Sequence, residues 1–254
     1  MSLPRLPSFR LDGRRALVAG ASSGIGAACA AALAEQGAHV VCAARGEERL
    51  AATVAEIVAR RQSASALPLD IGDIQAMDAA LAVEAPFDIV VNSAGLARHS
   101  AAVDTRPEDF DAVMAINLRA AYFLSTAAAR AMIARGKGGS IIHISSQMGH
   151  VGGVDRAVYC ASKHAIEGMV KSMALEWGRA GIRINTVCPT FIRTPLTEGT
   201  FANPERVRWI EEKIKLGRVG TVEDIMGAVV YLASDASALV TGSALMVDGG
   251  WTAD

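Results

Sequence analysis

Residues 16–26 read ALVAGASSGIG. The first five, ALVAG (16–20), are small or apolar and uncharged, which fits a short strand buried on both faces. The character then changes. AGASSGIG (19–26) spaces Gly20, Gly24 and Gly26 as G-x-x-x-G-x-G, and an Ala-rich helical stretch over 24–36 runs up to Gly37. A loop of this kind uses glycine for a tight turn, for close approach of a pyrophosphate and for tight packing of the helix on the sheet. The helix N-terminus adds free N–H groups and the positive end of its dipole. Glycines can also simply punctuate a strand-to-helix turn. The nucleotide reading rests on position, because the loop sits at the first β–α junction of a βαβ unit. Ser22, Ser23 and Ile25 join the three glycines as cofactor-contacting candidates.

Outward from this loop the same alternation continues. HVVCAA (39–44), ALPLD (66–70), FDIVVNSAG (87–95), SIIHISS (140–146), IRINTVCP (182–189) and SALMVDGG (243–250) read as further strands. Helical segments fall at 46–60, 73–84, 107–117, 118–135, 157–178 and 222–233, and residues 190–215 read as irregular. Strands that are apolar throughout belong to a parallel sheet covered by helices on both sides. The expected fold class is therefore α/β: a single Rossmann-type domain with a doubly wound, parallel, seven-stranded sheet flanked by helices. Residues 1–13 are expected to lead into the fold and 14–254 to form the single dinucleotide-binding and catalytic domain. No internal repeat or linker interrupts it.

The bulk composition narrows the function class. Of 254 residues, 51% are hydrophobic and 20% charged, as in a folded globular chain. With 25 Lys+Arg against 26 Asp+Glu, the net charge of −1 gives no electrostatic reason to expect a nucleic acid or a membrane as partner. The four cysteines (Cys29, Cys42, Cys160, Cys188) are widely spaced and form no CxxC or Cys/His cluster, so reduced thiols and no metal are expected. No uninterrupted apolar run reaches the roughly 18 residues of a membrane span. The N-terminus lacks the apolar core of a signal peptide. The expected location is cytoplasmic.

The end of the second strand bears on the choice of dinucleotide. An NAD-type site places an acid there for the adenosine ribose. Here Ala44 and Arg45 follow the strand, and a guanidinium suits a ribose 2′-phosphate. NADP(H) is the expected preference, with NAD(H) still possible. The alternative is a solvated Arg45 paired with Glu47 or Glu48. Asp70, with Ile71 beside it, is placed to meet the adenine edge, or it caps the following helix.

Taken together, the ordered motifs resemble the short-chain dehydrogenases/reductases from about residue 12 to 250. The family's TGxxxGIG appears as AGASSGIG, its NNAG as NSAG (92–95), and its helix asparagine as Asn117 in AINL. Its serine, thirteen residues before the tyrosine, is Ser146, and its YxxxK is Tyr159 with Lys163 in YCASK (159–163). IRINTVCPTFIRTP (182–195) and VDGG (247–250) match later segments. Three positions depart: Ala19 for threonine, Ser93 for asparagine, and Thr190 for the glycine after Pro189, near where the family places nicotinamide.

The resemblance implies an oxidoreductase that interconverts a carbonyl and a secondary alcohol by hydride transfer. Asn117, Ser146, Tyr159 and Lys163 are its expected catalytic set. Asn92, Ala94, Gly95, Pro189, Ile192 and Thr194 join the cofactor candidates, with Tyr159 and Lys163 also contacting the ribose. The chemistry is consistent with the residues. Positions i and i+4 share a helix face, and a free phenol, with a pKa near ~10, needs a nearby ammonium to act at neutral pH. Ser146 can donate to the substrate oxygen, or bond to backbone as a strand-end residue. Asn117 is implied to hold a water linking Lys163 to solvent, or bonds to helix backbone.

For substrate, Gln147, His150, Arg156 and Thr190 are the candidates, hinting at a sugar acid or polyol. His150 can equally be structural. In the family the segment after the sixth strand, here about 190–215, closes over the substrate as a lid, and the stretch GLARHS (95–100) faces the pocket mouth. The lid's Arg193, Arg206 and Arg208 can clamp a carboxylate, or equally pair with Glu205, Glu211 and Glu212 on a solvated face. A 3-oxoacyl thioester on an acidic carrier protein is the competing substrate, although no strong basic patch is seen. A catalytically silent nucleotide-binding module is the alternative of another class; such a module would be free to lose the catalytic set, which this chain keeps. The resemblance also implies a homotetramer built through the long helices.

Overall fold

The computed structural model describes residues 3–253. Seven strands form one sheet: β1 (Arg15–Ala19), β2 (His39–Ala44), β3 (Ser63–Pro68), β4 (Ile89–Asn92), β5 (Gly139–Ile144), β6 (Ile182–Pro189) and β7 (Ala244–Val247). Their order is β3-β2-β1-β4-β5-β6-β7, and every pairing is parallel. The direction of winding reverses between β1 and β4. In an open parallel sheet that reversal leaves a crevice beyond the carboxyl ends of the strands, where ligands bind.

The strands' period of two sends neighbours to opposite layers. Val18, Val91 and Ile142 join Leu33 and Leu232 in one core, while Leu17, Val90 and Ile141 join Leu124, Ile166 and Ile184 in the other. The first layer is covered by α1 (Gly24–Glu35), α2 (Glu47–Ala59) and α9 (Glu223–Ala233). The second is covered by α3 (Ile74–Val83), α5 (Ala121–Arg135) and α6 (Ala157–Trp177), with α4 (Pro107–Met114) packed against α6. Each such fully buried Leu or Ile stabilises the fold by about 1.5–3 kcal/mol. The chain enters the core at Leu11, which is fully buried and whose N–H donates to the Gln36 carbonyl at 2.8 Å.

Element ends shift by up to three residues elsewhere, and four differences from the sequence expectation stand out. β3 begins at Ser63 and not at 66, and it is half exposed because it is the sheet edge, pairing with β2 alone. Its seryl hydroxyls reach back to the His39 ring, at 2.7 Å from Ser63 and 3.2 Å from Ser65. The two helices over 107–135 are one rod, joined through a π-helical turn over Ala115–Ala120. This rod is long and apolar enough to cross a membrane by length and composition, yet 44% of its most apolar window is buried inside the protein. Leu124, Ala128 and Met132 fix it there as a core helix. β5 ends at Ile144, two residues before Ser146, and Ser146 instead caps a short 3-10 turn over Gln147–Gly149.

The fourth difference matters most for function. Residues 190–215 are largely helical, with a short α7 (Glu198–Phe201) and the ten-residue α8 (Pro204–Lys213). Asn203 starts α8 by accepting from the N–H groups of Glu205 and Arg206 at 3.0 and 3.1 Å, and Pro204 occupies the first turn, where its missing N–H is harmless. Buried Ile210, Ile214 and Val219 then gather Phe191, Phe201 and Trp251 into a small separate core. The lid is thus docked on the C-terminal tail.

Candidate active site

The glycine loop is shaped by what has no room to be there. A Cβ on Gly26 would lie 2.1 Å from the Gly20 carbonyl oxygen, so α1 begins flush against the loop. Gly20 has φ +82°, and a Cβ there would lie 2.7 Å from the Ala94 nitrogen of the turn after β4. Both positions require glycine on contact, and Gly20 also on conformation. Ser23 stands at the N-cap of α1 without making a side-chain cap, and the first turn holds no acidic residue. The N-terminal N–H groups and the dipole are thereby left to an anion. Thr194 closes the other side, with its Cβ and Cγ2 3.3 Å from where a Gly24 Cβ would stand. Loop, helix end and Thr194 fit a pyrophosphate.

The adenosine end follows from β2 and β3. Arg45 is exposed and pairs with neither Glu47 nor Glu48; its nearest carboxylate is Asp70, at 3.9 Å. Asp70 does not cap α3. Asp73 does, accepting from Ala76 N at 3.0 Å, while Asp70 accepts from Gly72 N at 2.8 Å and holds the turn that buries Ile71. In the NSAG turn, Asn92 Oδ1 accepts from Ala94 N at 3.2 Å, and Ser93 N donates to the Ala19 carbonyl at 2.9 Å. Gly95 is exposed beyond it. Pro189 and Ile192 are buried at the end of β6, so the turn and the post-β6 segment flank the crevice.

The α6 face carries Tyr159 and Lys163 together. The ammonium lies 5.6 Å from the phenol ring centroid and donates to the Ile144 carbonyl at 2.9 Å. Burial pulls the Lys163 pKa down to about 8. Tyr159 departs from the expectation that Lys163 lowers its pKa. Burial pushes the phenol above its ordinary range, and the opposing pulls come from the Ser146 hydroxyl and the Arg156 charge. Both groups are therefore driven toward their neutral forms by the same dry surroundings.

Asn117 lies on the π turn, and its side chain is spent on protein partners. Oδ1 accepts from Leu96 N at 2.8 Å, while Nδ2 donates to the Leu96 carbonyl at 2.9 Å and to Ser162 Oγ at 3.0 Å. It bonds to the loop after β4 and to α6, not to its own helix backbone. Behind it, His143 is buried between Asn92 and Ser125 at 3.4 and 2.9 Å, and burial together with the Lys163 charge lowers it to about 3. A neutral imidazole thus braces the β4 and β5 ends.

Among substrate candidates, Arg156 is buried beside Tyr159 and lies over the Phe191 ring at 5.7 Å. It has no carboxylate within ion-pair distance among the described residues, and burial, then Arg206, lowers its pKa. Buried Gln147 Oε1 and Thr190 Oγ1 have no hydrogen-bond partner in the protein. His150 is engaged elsewhere: its Nε2 lies 3.5 Å from Cys188 Sγ and 3.7 Å from a Glu167 oxygen. His164 bonds the Cys160 carbonyl at 2.9 Å as a structural residue. Of two further neighbours, the sequence does not single out His99, and it shows Arg206 only as a lid arginine that can clamp a carboxylate or pair with glutamates. The His99 ring stands edge-on to Tyr159 with centroids 6.1 Å apart, and the Arg206 charge acts on both His99 and Arg156. The only signal for His99 is its place in the stretch 95–100.

A tyrosine and a lysine on one helix face, a serine aimed at the phenol and a glycine cradle at the switch point together form a site for dinucleotide-dependent carbonyl chemistry. The family model described as "Enoyl-(Acyl carrier protein) reductase" matches residues 20–252. The chain belongs to the short-chain dehydrogenases/reductases. It is an oxidoreductase acting on CH–OH groups. It is 40% identical to gluconate 5-dehydrogenase of Gluconobacter oxydans over 99% of both chains. To D-threitol dehydrogenase of Mycolicibacterium smegmatis it is 39% identical over 96% of this chain and 95% of the relative. Among solved structures, a gluconate 5-dehydrogenase from Burkholderia cenocepacia in complex with NADP and tartrate matches with TM-score 0.94 and 36% identity, over 98% of this chain and 99% of that one.

Proposed function

We propose that this enzyme is an NADP(H)-preferring dehydrogenase/reductase of sugar acids. The observation that carries the substrate class is Arg156. A buried guanidinium without a carboxylate partner is costly in a folded protein, and here it lies beside Tyr159. A substrate carboxylate at that point completes the ion pair, with Arg206 adding to the positive field. The solved relative holding tartrate, a dicarboxylate, supports the same class.

The bound nicotinamide supplies or accepts the hydride. Gly20, Ser22, Ser23, Gly24, Ile25, Gly26 and Thr194 hold its phosphates, and exposed Arg45 takes the ribose 2′-phosphate. Asp70 and Ile71 bound the adenine side, and Asn92, Ala94, Gly95, Pro189 and Ile192 line the nicotinamide side. Tyr159, kept neutral by burial, donates its proton to the forming alkoxide in reduction and is left as the phenolate; in oxidation the same phenolate takes the alcohol proton back. Ser146 donates to the same oxygen as charge develops. Lys163 holds positive charge behind the phenol, and Asn117 fixes Leu96 and Ser162 around it. Gln147 and Thr190 offer their free buried oxygens to substrate hydroxyls.

The test is NADPH oxidation with a keto-sugar acid, the neutral ketose of equal length and a 3-oxoacyl thioester. The acid is expected to have the highest kcat/KM. Arg156→Leu should remove that advantage while leaving the neutral ketose little changed. A neutral ketose preferred by the unaltered enzyme, or a thioester preferred to both, would overturn the reading.

We assign a homotetramer on two supports. The first is the family resemblance. The second is a surface groove of about 880 Å³ along α4, α5 and α6, lined by Tyr122, Phe123, Ile133, Met169 and Trp177, an apolar face that the same helices of a second copy would cover. Sedimentation of the purified protein checks this, and a monomer at micromolar concentration would refute it. All four cysteines are free and buried, which suits the reducing cytoplasm.

A further inference from the structure

Beside Lys163, whose ammonium feels Cys188 and Glu167, three side chains converge from three elements. His150 comes from the turn after β5, Glu167 lies one helical turn beyond Lys163 on α6, and Cys188 is the next-to-last residue of β6. Cys188 Sγ lies 3.5 Å from His150 Nε2 and 3.5 Å from Glu167 Oε1, and His150 Nε2 lies 3.7 Å from Glu167 Oε2. One ligand atom from each residue falls within 4.8 Å of the other two.

Zinc binds sulfur at about 2.3 Å, imidazole nitrogen at about 2.0–2.1 Å and carboxylate oxygen at about 2.0–2.2 Å, so tetrahedral geometry separates such donors by roughly 3.3–3.6 Å. Cys188 approaches Oε1 of Glu167 and His150 approaches Oε2, so with one carboxylate oxygen as ligand the widest spacing is up to 4.8 Å, and closing the triangle takes a shift of about 1 Å by the carboxylate or by the partly exposed His150 side chain. The donor set, one thiol, one imidazole and one carboxylate, is of the kind borderline-soft divalent cations select.

The surroundings favour a cation. Glu167 is buried and receives a hydrogen bond from the Thr186 hydroxyl at 2.9 Å, which orients the carboxylate as an outer partner orients a metal ligand. The buried Ser145 hydroxyl also faces the Cys188 sulfur, yet makes no well-formed hydrogen bond. It is a polar group at 4% exposure aimed into the cluster, placed to meet a fourth ligand or to serve as one. An entry path exists, because the His150 side chain is 31% exposed while Glu167 and Cys188 are enclosed.

We propose that His150, Glu167 and Cys188 form a binding site for one zinc-class divalent cation. Binding transfers the Cys188 thiol proton to solvent and leaves the thiolate, the neutral imidazole and the carboxylate on the metal. The ion brings positive charge next to Lys163 and ties the 147–156 segment to the end of β6.

The test uses the full-length protein, stripped with chelator and titrated with Zn2+ by calorimetry and with Co2+ by absorption. One equivalent of Zn2+ should bind, and Co2+ should show a thiolate-to-metal charge-transfer band. Outer-shell changes alone weaken metal sites about 10–100-fold, so loss of a direct ligand in His150→Ala should weaken Zn2+ by at least about tenfold. Cys188→Ser should abolish the charge-transfer band, and Cys29→Ser should keep it. If Cys188→Ser fails to fold, the partly exposed His150 variant still decides. No stoichiometric binding, a band that survives Cys188→Ser, or an unchanged affinity in His150→Ala would overturn the proposal.

Discussion

Lys163 should make this protein less stable at neutral pH than it is in mild alkali, and replacing it with methionine should remove that dependence. The ammonium is buried, and its pKa falls from 10.5 in the unfolded chain to about 8 in the fold. Between those two values the unfolded state binds more protons than the native state, so stability rises with pH across the window and is lost as pH falls through about 8. At about 1.36 kcal/mol per pKa unit, the full penalty below pH 8 is about 3 kcal/mol. At pH 9.5 the same linkage leaves roughly 1.4 kcal/mol, so about 2 kcal/mol should be recovered between pH 7 and pH 9.5. Lys163→Met retains most of the side-chain volume and cannot titrate. Urea unfolding of both proteins at matched protomer concentration, every half pH unit, gives the difference curve. The Ile144 carbonyl loses its donor in the variant, but that loss shifts the curve as a constant and not its slope. Two curves that stay parallel from pH 7 to pH 9.5 would show that the Lys163 charge is not desolvated, and the account of the buried pair would fail.

Other outcomes follow from the same geometry. Tyr159→Phe should reduce turnover by at least about a thousandfold, within the range general acid–base catalysis contributes, with NADPH binding by fluorescence titration unchanged; near-normal turnover would remove Tyr159 from its role. Arg45→Ala should weaken NADPH about tenfold and leave NADH nearly unaffected, since one exposed charge-assisted contact is lost; equal weakening of both would return Arg45 to a solvated residue. Gly26→Ala should lower the melting temperature and abolish dinucleotide binding, because its Cβ would meet the Gly20 carbonyl at 2.1 Å; retained tight binding would show that α1 can retreat from the loop.

The parts of this molecule readable from sequence are those where one local rule acts alone. β2 and β6 were placed to the residue because uninterrupted apolar runs mark strands buried on both faces. The glycine loop was readable because backbone crowding there admits no side chain. β3 was misplaced because an edge strand alternates small and polar residues and lacks that signature. The lid helix was missed although Asn203 and Pro204 carry a start signal, since its apolar residues pack on a small cluster and not on the main core. Tyr159 and Lys163 were visible because four residues on one helix make one face. The His150, Glu167 and Cys188 cluster was not, since its members lie 17 and 21 residues apart and only the β5–β6 crossover brings them together. The environment of Tyr159 was hidden for the same reason: spacing shows that an ammonium is near, while desolvation, which dominates, depends on everything packed around it.

Lys163 and Glu167 on α6 and Arg156 at its N-cap are all buried and all charged in their ordinary forms. A core built for stability alone would place apolar residues there, because isolated buried charges destabilise by several kcal/mol. None of the three charges has a close partner of fixed opposite charge: Lys163 bonds a carbonyl, Arg156 a ring face and the Val154 carbonyl, and Glu167 a hydroxyl and a thiol, with the His150 ring at 3.7 Å. Folding therefore leaves this crevice electrostatically unsatisfied, and the missing interactions are those that an anionic substrate and a cation can supply. The same shortfall that lowers stability at neutral pH becomes binding free energy when those groups arrive. On this view ligand and fold are linked, so saturating cofactor and sugar acid should raise the melting temperature most where the protein alone is weakest, near pH 7.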